Sequence, residues 1–101
     1  MLKKQNKQLD FDALTSAAEC LRILAHPSRL QIVQMLLGGE QHSVNEIAEA
    51  CGLSQPATSD HLRLMQRCGF LDNERDGRTV YYYITEPHVH DIMKCIQSRF
   101  G

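Results

Sequence analysis

Residues 43–67 read SVNEIAEACGLSQPATSDHLRLMQR. Two short apolar-periodic segments flank a turn here, and the punctuation is explicit. Ser43 followed three residues later by Glu46 is a capping box, which opens a helix. Val44, Ile47 and Ala48 give that helix one apolar face. Gly52 stops it, because the left-handed conformation that closes a helix is easiest for glycine. Ser54 supplies the next N-cap. Pro56 is tolerated only within a helix's first turn, so the second helix starts near Gln55 and runs to about Arg67. Two helices joined by three to four residues that include a glycine make a helix-turn-helix.

The second helix begins with Ser54, Gln55, Thr58, Ser59, Asp60 and His61, a row of short polar side chains. In a helix-turn-helix the second helix enters the DNA major groove with its N-terminal residues at the base edges. Gln can take adenine through two hydrogen bonds, and Ser or Thr can bond a base edge or a phosphate. The helix N-terminus itself attracts phosphate. Ser54, Gln55, Thr58, Ser59 and His61 are therefore expected on the DNA face. The spacing also allows His61 to turn inward beside Ala57, Leu62 and Met65.

Downstream, the period changes. FLDNERDGRTVYYYI, residues 70–84, places Asp76-Gly77 between two β-type runs, a strong hairpin signal. Strands are expected at about 70–75 and 79–84. Arg75 and Arg78 flank the tip and, with Arg63, are expected to contact the DNA backbone, joined by Arg67. A last helix runs from Glu86 or Pro87 to Arg99, with Val89, Ile92, Met93 and Ile96 as its stripe. Upstream, Asp10 or Asp12 caps a first helix to about Ala25, with Leu14, Ala17, Ala18, Leu21 and Leu24 apolar. Pro27 interrupts it, and a second helix spans about 28–37 before Gly38-Gly39 and a loop at 40–42. The fold class is mainly α with a small β-hairpin (α+β): four helices, a hairpin wing and a last helix, a winged helix-turn-helix. Residues 1–11 are expected as a flexible arm, and 12–101 as one DNA-binding and dimerisation domain.

Composition bounds the reading. The chain has 101 residues, 43% hydrophobic and 23% charged, with no Trp, which suits one small helical domain. A domain of this size buries about 60–65% of its unfolded surface, so association helps it. No apolar run approaches the roughly 18 residues of a membrane span, and no secretory leader is visible, so the cytoplasm is expected. Net charge is −1, which excludes binding by bulk charge alone. Residues 54–85 hold Arg63, Arg67, Arg75 and Arg78 against Asp60, Asp72, Glu74 and Asp76. A protomer so balanced neutralises few phosphates, and a homodimer through the first and last helices is the natural remedy. No GxSxG, HExxH, P-loop or GxGxxG is present, so no enzyme is expected. The alternative is a winged-helix module that docks a protein partner and has no DNA operator; salt-sensitive, sequence-selective DNA binding separates the two.

The stretches LRILAHPSRLQIVQML, VNEIAEACGLSQPATSDHLRLMQRCGFL and RDGRTVYYYI resemble the ArsR/SmtB-type winged-helix transcriptional regulators, over about residues 12–100. The resemblance implies a homodimer, operator binding by helix 55–67 and wing 72–83, repression in the free state and release by an inducer. Asp60 stands where the family often has a basic or amide residue. Many members sense metals. The Cys-x-Cys pattern of the third helix falls on Ser43–Ile47, which has no thiol. The Asp-x-His pattern of the last helix is met in part by Glu86-Pro87-His88, with His90 nearby, but its second half falls at Arg99. His88 and His90 are thus weak metal candidates, short of the closed four-ligand set that zinc prefers. No cofactor is assigned beyond a possible metal or metalloid ion. The four cysteines, Cys20, Cys51, Cys68 and Cys95, form no close sequence pair and read as free thiols. The family fold brings the first and last helices together, which makes Cys20 and Cys95 the candidate sensing thiols, through a disulfide or a soft ion. Cys51 and Cys68 read as structural.

Overall fold

Asp10 sets the start of the first helix. Its carboxylate accepts from the Ala13 N–H at 2.8 Å, and α1 runs Phe11–Leu24. The computed structural model describes residues 7–101, so most of the expected N-terminal arm, residues 1–6, lies outside the described residues. Pro27 then opens α2, Pro27–Leu36, one residue before the expected start. The cap is His26, whose Nδ1 accepts from the Ser28 N–H at 3.1 Å. Proline fits the first helical position because its missing N–H would have no helical partner there.

A short strand, β1, His42–Ser43, follows where a loop was expected. The capping box then forms in full: Ser43 Oγ accepts from the Glu46 N–H at 3.1 Å, and Glu46 Oε1 accepts from the Ser43 N–H at 2.9 Å. It opens α3, Val44–Cys51, which Gly52 closes in the left-handed conformation, φ +67°. Ser54 Oγ accepts from the Ala57 N–H at 3.2 Å and caps α4, Gln55–Arg67.

The wing is β2, Leu71–Asp76, and β3, Thr79–Ile84. Asp76 pairs with Thr79, so the two-residue loop is Gly77-Arg78 rather than Asp76-Gly77. Gly77 takes φ +66° at the first loop position, where type I′ and II′ hairpin turns both require a positive φ. Arg78 therefore sits on the tip itself. β1 pairs antiparallel with β3, His42 opposite Tyr82 and Ser43 opposite Tyr81, giving a three-stranded sheet in the order β1-β3-β2. The sheet thus ties the start of α3 to the wing. The last helix, α5, is His88–Phe100.

The core gathers Ile32, Val33 and Leu36 of α2, Ile47 of α3, Leu62 and Met65 of α4, Leu71 and Tyr82 of the sheet, and Val89 and Met93 of α5. Side chains at three- and four-residue spacing share a helix face, so these residues pin one face of α4 inward and turn the other out. Two polar ties fix the wing against α4. Asn73 Nδ2 donates to Gln66 Oε1 at 2.8 Å, and Gln66 Nε2 donates to Asp72 Oδ1 at 3.2 Å. Helix α1 contributes only Leu24 to the buried set. The radius of gyration is 15.4 Å, against about 13 Å for a compact chain of 100 residues, so the protomer is elongated.

Candidate nucleic-acid interface

The two faces of α4 divide the residues expected at DNA. Thr58 goes inward. It is fully buried, and its hydroxyl donates to the Ser54 carbonyl at 2.8 Å. It is a core residue of the helix start and cannot reach a base. Its place in the expected DNA face is thereby corrected. His61 also turns inward, the second option its spacing allowed. Its Nδ1 accepts from Arg29 Nε at 3.0 Å, and its ring lies 4.8 Å from that of His26, tilted by 58°. Partial burial pushes the His61 pKa down from the ordinary imidazole value, and the positive Arg29 and neighbouring His26 push the same way against Asp60. Arg29 is further held by donating through Nη1 to the Ile23 carbonyl at 3.0 Å. His61 is thus engaged with the start of α2 rather than aimed at solvent.

The outward face carries Ser59, Asp60, Arg63 and Arg67, at the spacing of one helix surface. Gln55 stands at its N-terminal end, exposed. Gln55 and Ser59 share a groove of about 500 Å³ with Ser43, Asn45, Arg78 and Thr79. This groove brings together the first turns of α3 and α4 and the wing tip. The hydroxyl of Ser54 accepts the cap hydrogen bond and keeps its O–H to donate. Arg78 and Arg75 are exposed on the wing. Arg75 flanks a separate concavity with Glu74, Asp76, Gln41 and Tyr81, so acidic neighbours surround it. Arg63 donates through Nη2 to Asp60 Oδ1 at 2.6 Å.

Sequence reasoning missed Asn45 and Thr79. Asn45 lies in the first turn of the capping-box helix, where a small polar residue gives no periodic signal. Thr79 could be found only once the hairpin register placed it beside the tip.

The thiols rearrange differently from expectation. Cys20 on α1 lies near Cys68 at the end of α4. Cys95 is exposed on α5. Burial first, and the Cys20 contact next, push the Cys68 thiol pKa up; burial does the same for Cys51. Such thiols are weak nucleophiles at neutral pH.

At the start of α5, Glu86 Oε2 accepts from the His88 N–H at 2.9 Å and lies 2.6 Å from His88 Nδ1. These hydrogen bonds, the backbone one first, hold the Glu86 carboxyl below the usual carboxylate range. His90 is two residues on, about 200° round the helix, with Nδ1 3.2 Å from the Pro87 carbonyl. The two imidazoles face apart, and no group of three or more His, Cys, Asp or Glu side chains converges among the described residues. The donors present in one protomer do not fit a zinc centre.

A three-stranded wing packed on a helix-turn-helix, with a polar groove between reading helix and wing tip, defines the winged helix-turn-helix class of DNA-binding proteins. The family model of bacterial regulatory proteins of the arsR family matches residues 26–73. The regulator YgaV of Escherichia coli is 37% identical over 82 residues, which cover 81% of this chain and 83% of that protein. A probable mercury resistance operon repressor of Streptomyces lividans is 38% identical over 78 residues, 77% of this chain and 62% of that protein. The homodimeric winged helix-turn-helix DNA-binding domain of Mb0332 from Mycobacterium bovis superposes with a TM-score of 0.77 at 29% identity, over 93% of this chain and 88% of that one. The chain belongs to the ArsR family of bacterial regulatory proteins. It is a DNA-binding transcriptional regulator and not an enzyme.

Proposed function

We propose that the protein is a homodimeric repressor that reads a two-fold operator with α4 and the wing. The observation that carries this reading is the groove in which Gln55, Ser59, Asn45, Arg78 and Thr79 converge. Gln55 and Ser59 take base edges in the major groove, Asn45 and the Ser54 hydroxyl orient on phosphate, and Arg78 reaches the flanking backbone. Arg75, beside Glu74 and Asp76, contributes less charge than Arg78.

Pairing of two protomers follows from α1. Its apolar residues Phe11, Leu14 and Leu21 are 79%, 49% and 55% exposed, and Phe100 at the end of α5 is 77% exposed. Exposed large apolar residues on both helices mark an association surface. A dimer doubles the few phosphate contacts of a protomer with net charge −1. The relative named as a probable mercury resistance operon repressor supports repression, and release by an inducer is part of the same proposal. The division into an N-terminal arm, residues 1–11, and one reading and dimerising unit, residues 12–101, belongs to the same proposal, as does action in the cytoplasm. No helix among the described residues is long and apolar enough to cross a membrane.

The test is the double substitution Gln55→Ala with Ser59→Ala. Footprints on the promoter region should lose sequence selectivity while the circular dichroism stays unchanged. A footprint identical to that of the parent protein would remove these residues from the interface. A parent protein whose binding ignores both sequence and salt would favour a protein-docking module instead.

A further inference from the structure

Asp60 is the anomaly of the outward face. A carboxylate that enters the major groove meets the repulsion of two phosphate strands, so it needs a specific donor to be tolerated there. The structure supplies one: Arg63 Nη2 donates to Asp60 Oδ1 at 2.6 Å, one helical turn away. Both side chains are open, 61% exposed for Arg63 and 71% for Asp60, and both stand on the face that turns away from the core. The ion pair is thus presented outward rather than folded against the protein.

Its chemistry is specific. A guanidinium carries five N–H donors in a planar fork. One of them is used on Asp60, which fixes the direction of the plane and leaves one edge, the second N–H of Nη2 with that of a neighbouring nitrogen, to donate side by side. That fork matches the O6 and N7 acceptors of guanine in the major groove. The second oxygen of Asp60 remains an acceptor, and the N4 amino group of cytosine is the base donor that a carboxylate takes in the same groove. No phosphate or thymine edge offers Asp60 a hydrogen.

The geometry points to Asp60 and Arg63 as one specificity element that selects a G·C pair in each operator half-site: Arg63 reads guanine, and Asp60 aims Arg63 and favours cytosine. This rests on the DNA reading above and reassigns Arg63 from the backbone to a base. Asp60 is a positioning residue for Arg63 as well as a filter. It repels DNA that offers no base amino group beneath it, which raises selectivity at the expense of general affinity.

The experiment is selection from a library of randomised double-stranded operators, followed by titration of the selected and a scrambled duplex, using the full chain as its dimer. The parent protein should select a G·C pair in each half-site beneath the middle of α4. Arg63→Lys keeps the charge but loses the fork. It should leave affinity for scrambled DNA within about twofold and lower affinity for the selected duplex about tenfold to a hundredfold. Asp60→Asn should tighten binding to scrambled DNA while narrowing the preference for G·C. Unchanged base preference in Arg63→Lys would return Arg63 to the backbone and overturn the proposal. So would an Asp60→Asn protein that binds every duplex more tightly by the same factor, because Asp60 would then act only as charge. If the parent protein selects a sequence without the G·C pair, the element fails while the DNA reading stands. If it selects nothing, the DNA reading itself fails.

Discussion

Two regions of the protomer treat their apolar residues in opposite ways. In α2, α3 and α4 the stripes are spent inside: Ile32, Val33, Leu36, Ile47, Leu62 and Met65 have no exposed surface at all. In α1 the stripe faces out, and of fourteen residues only Leu24 is buried. Helix α5 lies between these extremes, with Val89 and Met93 buried, Ile92 and Ile96 half-buried, and Phe100 open. The reading unit therefore completes its own packing within one chain, whereas α1 leaves its stripe open, the surface on which the proposed dimer closes. Recognition geometry and dimer geometry are stored in different parts of the sequence, and each should be breakable with the other left intact.

The largest effect is expected from α1. Leu14→Glu with Leu21→Glu puts four carboxylates into a paired interface and touches nothing in the reading unit. Linking two binding sites raises affinity by roughly 10²–10⁴ over one. The double variant should elute as a monomer, keep its helical spectrum and lose at least about a hundredfold in operator affinity. Light scattering and anisotropy titration read both. A variant that stays dimeric would move the interface off α1 and dissolve the contrast.

The converse substitution lies on the inward face of α4. Leu62→Ala removes a fully buried side chain from a packed core, and such truncations cost about 2–5 kcal/mol. Phe11→Ala in the monomeric background should cost no more than about 0.5 kcal/mol, because an exposed residue loses few contacts. Urea unfolding measures both. Equal costs would mean that α1 is packed in the free protomer after all.

The difference between the regions also explains what was legible in the sequence. Caps and turns act over three or four residues, so Ser43 with Glu46, Gly52, Ser54 and Pro56 declared α3, the turn and α4 with their true limits. The hairpin was visible because two β-type runs flank Asp76-Gly77, although the loop lies one residue later. β1 was hidden: two residues, one polar and one a helix cap, have no period, and their strand character comes from Tyr81 and Tyr82 far along the chain. The same limit applies to side-chain direction. Thr58 and Ser59 are chemically alike and adjacent, yet one is core and the other lines the groove. Only the packing of α4 against its neighbours decides between them. The thiols follow the same logic, since Cys20 meets Cys68 by way of the α1–α4 contact, which no spacing rule encodes. The expected charge balance was right in number, but the pairing of Arg63 with Asp60 was not visible in a count.

The smallest effect tests the seam between α2 and α4, where the reading helix is anchored from inside. Three basic side chains meet there: Arg29 from α2, His26 from its cap, and His61 from α4, with Asp60 as the opposing charge. His61 Nδ1 accepts from Arg29, and His26 Nδ1 accepts the cap hydrogen bond from Ser28, so both contacts require an unprotonated nitrogen. The folded His61 pKa lies below the ordinary value of 6.5, first through burial, then through Arg29 and His26. Above pH 6.5 the imidazole is neutral in both the folded and the unfolded chain, and its contribution is fully present. As pH falls below that value, the unfolded chain takes up a proton that the folded chain resists, so stability declines. The decline ends once the pH passes the lowered folded value. His61→Asn supplies an amide oxygen near the Nδ1 position, able to accept from Arg29 but unable to titrate. The parent protein should therefore lose more stability than His61→Asn between pH 7.5 and 5.5, read as the shift in urea midpoint. Parallel midpoint curves would show that α4 is held by its apolar face alone, and that the His26–Arg29–His61 seam adds no proton-linked stability.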